Sequence, residues 1–221
     1  MTKFEDLFVT HRGRYSSKWQ HYFEIYDRHL FKFIGQSFTF IEIGIDQGGS
    51  LELWKKYFGK KVNLVGIDIK NSVVFDDDQI RTFQGDQKDT EFLSKVLEKI
   101  DTPTVILDDG SHIQSDILTT FDFMFPHLSD SGVYIIEDCH TAYWPRFQGG
   151  ITSHLNIVDI FSRTVHDVNS KYYNEPKTVK IQQLDSIHFY DSVIVLEKRQ
   201  KLYNRYMVDV DNFGPRIRDT I

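Results

Sequence analysis

The sequence predicts an α/β fold: a mainly parallel sheet with helices on both faces and an antiparallel pair at its C-terminal edge. Three observations predict it. Five short apolar runs end in glycine or an acid, stretches of helical periodicity separate most of them, and the last apolar runs follow one another with no room for a helix.

Taken in order, residues 16 to 34 place Trp19, Tyr22, Phe23, Tyr26, Leu30 and Phe33 at helical spacing, which predicts an extra N-terminal amphipathic helix. Phe38 to Ile45 (FTFIEIGI) reads as a strand buried on both faces, followed by a helix from Ser50 to Phe58. VNLVGID (Val62 to Asp68) and IRTFQGD (Ile80 to Asp86) give the next two strands. A helix over 88–99 leads to PTVILDD, and a helix over 113–125 leads to GVYIIED. TVKIQQL and SIHFYDSVIVLEK are then expected to pair antiparallel at one edge. No repeat or linker interrupts the chain. It reads as one domain, with an N-terminal helical extension or lid over 1–36, a core over 37–198 and a C-terminal tail over 199–221.

Composition excludes several classes. Of 221 residues, 40% are hydrophobic and 26% charged, which fits neither a disordered chain nor a disulfide scaffold. The 26 Lys and Arg against 32 Asp and Glu leave a net charge of -6, with the basic residues dispersed, so neither nucleic acid nor an anionic membrane is the expected partner. Cys139 is the single cysteine, so no intrachain disulfide is possible. No stretch approaches the ~18 apolar residues of a membrane span and no apolar signal core opens the chain, so a cytoplasmic location is expected. Aromatic residues make up 14%, with 18 Phe and 11 Tyr, and those rings need a use.

In open α/β sheets ligands bind beyond the carboxyl ends of the strands. Each such end here carries an acid. The first turn, EIGIDQGGS, brings Gly44 and Gly48 to a strand-to-helix junction, but its spacing is not G-x-G-x-x-G, and Glu42, Asp46 and Glu52 would repel a diphosphate. A tight turn with no ligand would look the same. Asp68 can accept from the two ribose hydroxyls of an adenosine or cap a helix; Asp86 falls where an adenine edge would lie or caps the next helix. Asp108, Asp109 and His112 end the fourth strand, and Glu137 with Asp138 end the fifth. Converging carboxylates of this kind repel one another, and a hard divalent cation relieves that better than zinc would; solvated helix caps are the plain alternative. Neighbouring strand residues face opposite sides, so Glu137 and Asp138 can share an ion only where the pleat has broken. His112 is placed to take a proton beside such an ion, with His140 as its rival and His21 and His188 as weaker ones. Tyr143, Trp144 and Phe147 form a loop cluster able to cover a ligand or simply to pack together.

EIGIDQGGS, the acid ending strand two, GD after strand three and LDDGSH after strand four together resemble the Rossmann-like class I S-adenosylmethionine-dependent methyltransferases. More narrowly, DDGSH with VYIIEDCHTAYW, SSKWQHYFEIYDRHL and SIHFYDSVIVLEK resembles the metal-dependent sugar O-methyltransferases of macrolide and related natural-product pathways, over roughly residues 15 to 198. The resemblance implies S-adenosyl-L-methionine and Mg²⁺ (or Mn²⁺) as cofactors, Asp109, Glu137 and Asp138 as metal ligands and His112 as general base. It implies a cofactor site lined by Glu42, Gly44, Gly48, Ser50, Asp68, Asp86 and Asp108, with Asp68 on the ribose. Tyr22, His140, Tyr143 and Trp144 are candidates for the sugar acceptor. Enzymes of that family carry a further N-terminal domain, whereas this chain starts almost at the catalytic part, so acceptor specificity and subunit arrangement do not carry over. The segment reads Ser17-Lys18-Trp19 where the family tends to place an acid before the lysine.

The expected activity is methyl transfer to a metal-chelated sugar diol, the acceptor being a glycan or glycosylated metabolite. A catechol or other small-molecule acceptor shares the chelation requirement. A nicotinamide-dependent oxidoreductase and a non-catalytic binding module are the readings from other classes. The aromatic N-terminal helix is a candidate contact for a homo-oligomer.

Overall fold

The computed structural model describes residues 1–70, 75, 77–172, 181, 183–199, 207–211 and 214–218, the last two stretches as backbone. Seven strands form one sheet: β1 (Phe38–Ile43), β2 (Val62–Asp68), β3 (Ile80–Gln84), β4 (Pro103–Asp108), β5 (Val133–Ile136), β6 (Leu184–Tyr190) and β7 (Val193–Lys198). Their order is β3-β2-β1-β4-β5-β7-β6, parallel as far as β5 and antiparallel from there. This is the expected architecture. β1 and β5 are buried at every position because both faces are covered, which is why their sequences are continuous apolar runs.

Alternation still sorts the side chains by face. Phe38, Phe40, Leu64, Val105 and Leu107 point to the layer holding α1 (Lys3–Val9), α2 (Tyr22–Leu30) and α3 (Gly49–Phe58). Ile41, Ile43, Val65, Ile67 and Ile106 point to the layer of α4 (Thr90–Leu97), α5 (Gln114–His127) and α6 (Ile157–Arg163), after which α7 (Val165–Val168) follows. The first layer takes up many of the aromatic rings. Trp54 lies 4.4 Å from Phe4, 5.1 Å from Tyr26 and 5.0 Å from Phe40, ring centre to ring centre. Each such burial is worth about 2 kcal/mol.

Two expectations need correction, and two elements are added. The helix predicted over 16–34 covers only Tyr22–Leu30, with a 3₁₀ turn at Phe31–Phe33; residues 11–20 are non-helical because tertiary bonds replace the helical ones, the Arg14 N–H donating to Glu52 and the Lys18 ammonium to Asp109 and Glu137. Helix α1 was not predicted, although Thr2 and Glu5 form a capping box at its start. The edge hairpin lies within LDSIHFYDSVIVLEK, turning at Asp191 and Ser192, rather than between TVKIQQL and the next run; residues 178–180 and 182 of TVKIQQL lie outside the described residues. The tail contains an antiparallel pair, β8 (Met207–Asp211) with β9 (Gly214–Arg218).

Helix α2 is fastened to the edge hairpin. The His29 ring meets Glu197 at 3.0 Å through Nδ1 and the Tyr190 hydroxyl at 2.9 Å through Nε2. That hydrogen bond, working against partial burial, holds the Glu197 carboxyl down at about 2. Among the described residues, no helix is long and apolar enough to cross a membrane.

Candidate active site

A cleft of about 760 Å³ opens at the carboxyl ends of the parallel strands. Glycine makes its floor possible. Gly44 has φ +87°, and a Cβ there would fall 2.1 Å from the Asp109 carbonyl oxygen, so any side chain would push away the loop that carries Asp109. At Gly49 a Cβ would fall 2.3 Å from the carbonyl oxygens of Arg14 and Tyr15, which lets residues 11–20 lie against the start of α3. At the end of β2, Asp68 accepts from the backbone N–H of Asp46 at 3.0 Å and of Lys70 at 2.9 Å. The turn after β1 is thereby tied to the strand beside it.

The other end of the cleft is built around a cation. Lys18 Nζ donates to Asp109 Oδ2 at 2.6 Å and to Glu137 Oε2 at 2.8 Å, and stands 3.7 Å from Glu42 Oε1. Tyr26 donates from its hydroxyl to the second oxygen of Glu137. The Lys18 side chain is only 4% exposed, and burial alone would favour its neutral form. The three carboxylates outweigh that cost and hold its proton more firmly than usual. Burial pushes Glu42 up to about 7 and Glu137 upward as well, with Lys18 opposing both shifts.

Beside Lys18 lies a more open group. His112 Nε2 is 3.7 Å from Asp138 Oδ2 and 3.9 Å from Asp109 Oδ1. His112 and Asp138 both have left-handed backbones, φ +57° and φ +53°, an uncommon conformation for residues with side chains and one that concentrates at functional sites. At Asp138 it breaks the pleat, so that Glu137 turns toward Lys18 while Asp138 turns toward Tyr22, whose hydroxyl donates to it at 2.7 Å.

The structure sorts the predicted residues into four groups. Gly44, Asp68, Asp86, Asp109, His112, Glu137, Asp138 and Tyr22 line the cleft. Glu42, Ser50 and Asp108 are buried away from it: Ser50 donates to Glu42 at 2.7 Å, and Asp108 accepts from Gln87 at 3.1 Å, its carboxyl pushed up to about 7 by burial. Gly48, with φ +82°, ends the turn before α3 and does not reach the cleft wall. His140, Tyr143 and Trp144 stand beyond the wall, His140 bonded to Ser192 at 2.5 Å and packed edge-on against Trp144. The helix-capping alternative for Asp86 falls away, since Asp89 caps α4. Sequence reasoning names Lys18 and Asp46 without giving either a place in the site, and misses Lys70 and Gln87 on the wall; Lys18 comes from 91 residues before Asp109.

The donors fit a hard divalent cation. Asp109, His112 and Asp138 each offer a ligand atom, all within 4.8 Å of one another, and the side chains of Asp109 and Asp138 are 20% and 26% exposed toward the cleft. Carboxylate oxygens of this kind suit Mg²⁺ or Mn²⁺. Glu137 adjoins the group through the Lys18 ammonium that it shares with Asp109.

No family model matches the chain. It is 40% identical over 131 residues to the mycinamicin VI 2''-O-methyltransferase of Micromonospora griseorubida, covering 56% of this chain and 33% of that protein. It is 31% identical over 198 residues to the 8-demethyl-8-alpha-L-rhamnosyl tetracenomycin-C 2'-O-methyltransferase of Streptomyces olivaceus, covering 83% and 52%. The solved structure of the MycE methyltransferase from the mycinamycin biosynthetic pathway, in complex with Mg, SAH and mycinamycin VI, matches with a TM-score of 0.77 at 30% identity, over 89% of this chain and 52% of that one. The chain thus spans about half the length of these relatives, or less. With its 3-2-1-4-5-7-6 sheet, it has the Rossmann-like class I methyltransferase fold and is similar in sequence and structure to the sugar O-methyltransferases of antibiotic biosynthesis.

Proposed function

We propose that this cleft is the methyl-transfer site of an S-adenosylmethionine- and Mg²⁺-dependent O-methyltransferase acting on a sugar hydroxyl of a glycan or glycosylated metabolite. The observation that carries the reading is the convergence of Asp109, His112 and Asp138 within 4.8 Å at one end of a cleft whose other end is lined by Gly44, Asp68 and Asp86. Relatives named for methyl transfer to rhamnosyl and olivosyl compounds support the acceptor class.

Asp68 and Asp86, at the ends of β2 and β3, suit the ribose and base of a nucleoside, and the surrounding acids favour a sulfonium cation over a dinucleotide diphosphate. Asp109, Asp138 and Glu137 would hold the metal, which when bound supplies chelation of two vicinal hydroxyls and lowers the pKa of one. His112 lies near enough to both aspartates to receive the proton of that hydroxyl. Tyr22 fixes Asp138, and the left-handed backbone of His112 aims its ring into the cleft. Holding oxygen, methyl and sulfur in line is then a positioning effect, worth ~7 kcal/mol or more.

The test is transfer of labelled methyl from S-adenosylmethionine to a panel of glycosides and catechols, with and without EDTA. Sugar methylation that EDTA abolishes is the expected result. Activity indifferent to chelation removes the metal from the reading, and exclusive methylation of catechols replaces the acceptor.

A further inference from the structure

Three carboxylates surround one ammonium at the wall of the cleft. Glu42 and Glu137 are 0% and 1% exposed, so their mutual repulsion is scarcely screened, and Asp109, 20% exposed, adds its charge from the cleft side. Lys18 Nζ occupies the point where their charges meet, at 2.6 Å from Asp109 and 2.8 Å from Glu137. A divalent ion held by Asp109 and Glu137 would share both carboxylates with Lys18: Glu137 Oε1 is taken by Tyr26, so the ion would need the Oε2 that Lys18 holds, while Asp109 turns Oδ1 toward His112 and keeps Oδ2 on Lys18. An ammonium and a dication cannot both be close to them without strong repulsion. Elsewhere among the described residues, His29, His188 and Glu197 also come together, but Arg28 and Lys32 face that group and both His29 nitrogens have partners, so it reads as a fastening and not as a second metal centre.

We propose that Lys18 is the centre's own counter-ion, a positioning residue that keeps the carboxylates assembled in the metal-free protein and competes with the divalent cation for Asp109 and Glu137. The inference rests on the metal reading proposed above. By linkage the competition is reciprocal: a bound dication weakens the attachment of Lys18, and with it the hold on residues 11–20, whose Ser17 and Trp19 form one side of the cleft. Lys18 thus ties metal loading to the position of that segment.

The test is titration of wild type, K18M and K18R with Mn²⁺ alone, free Mn²⁺ being read by electron paramagnetic resonance, together with melting curves at each Mn²⁺ level. K18M is expected to bind Mn²⁺ roughly tenfold tighter or more, and K18R to bind like wild type. Metal-free K18M should melt lower than wild type and recover more of its stability on adding Mn²⁺. Trypsin supplies a readout on the unmutated chain: Mn²⁺ should speed cleavage after Lys18, whose side chain is otherwise buried. Equal or weaker Mn²⁺ binding by K18M, or cleavage after Lys18 that Mn²⁺ leaves unchanged or slows, overturns the competition. If wild type binds Mn²⁺ but the variant's affinity is the same, this inference alone fails; if wild type binds no Mn²⁺, the metal reading falls with it.

Discussion

Two polar clusters fasten the N-terminal layer to the sheet, and they hold their carboxylates in opposite ways. At the strand ends, Glu42 and Glu137 are sealed in, and burial drives both carboxyls upward even with an ammonium against them. At the sheet edge, Glu197 keeps a 25% exposed side chain, and its bond with His29 holds it down at about 2. Glu137 lies 2.8 Å from its ammonium, closer than the 3.0 Å between Glu197 and His29, yet its shift has the other sign. Desolvation outweighs pairing where water is excluded, and pairing outweighs desolvation where water remains. The first arrangement leaves carboxylates eager for more positive charge, as a metal centre requires; the second yields a quiet structural bond.

The contrast is sharpest in function. His112→Ala should lower methyl transfer by about 10²- to 10⁴-fold while leaving the melting temperature nearly unchanged, because the residue is half-buried on the cleft wall. Loss of activity with a matching loss of fold would assign His112 to structure instead. In stability the order reverses, since Glu137→Ala leaves the Lys18 ammonium buried with one close partner fewer and should cost about 3 kcal/mol by denaturant unfolding. A cost no larger than that of a surface pair would break the contrast. Tyr22→Phe removes the hydroxyl that donates to Asp138 and should cost roughly 1 kcal/mol, with a larger fractional loss in methyl-transfer rate than in substrate binding.

The smallest effect belongs to the edge. Because Glu197 has a lower pKa in the folded chain than its ordinary 4.5, it contributes stability above that value and loses the contribution as pH falls toward 2. Glu197→Gln should therefore lower stability at neutral pH by about 1 kcal/mol or less, given its partial exposure, and converge with wild type as pH falls toward 2, so that the acid limb of its stability-against-pH curve is flatter. An unchanged acid limb would mean that the His29 bond does not persist in solution.

What the sequence made legible follows from how locally each feature is encoded. β1 and β5 are legible because burial on both faces writes an uninterrupted apolar run, whereas β3 buries only Ile80 and is the weakest of the five parallel strands in the sequence. The broken pleat at Asp138 was framed as a condition for ligand sharing and is present, but it turns Glu137 and Asp138 to different partners. The resemblance marks Ser17-Lys18-Trp19 as a segment, but the role of Lys18 is out of reach, because its partners Asp109 and Glu137 lie 91 and 119 residues away. Those same distant bonds delay the start of the N-terminal helix to Tyr22, overriding a periodicity that runs back to Trp19. Helix α1 is a different kind of miss, since the Thr2 to Glu5 capping box and the apolar pair Phe4 and Phe8 were there to be read.

Ser192, at the turn of the edge hairpin, bonds to the Tyr22 hydroxyl at 3.0 Å and to the His140 ring at 2.5 Å, and its carbonyl accepts from the Cys139 N–H at 2.8 Å. Short hairpin reversals are favoured places for grafting epitope tags and for circular permutation. Here the reversal is wired to the loop bearing Asp138, so lengthening it would shift the Asp138 end of the cleft along with the edge. An engineer gains a handle on the proposed centre from outside the cleft, and one seeking an innocent attachment point should look elsewhere.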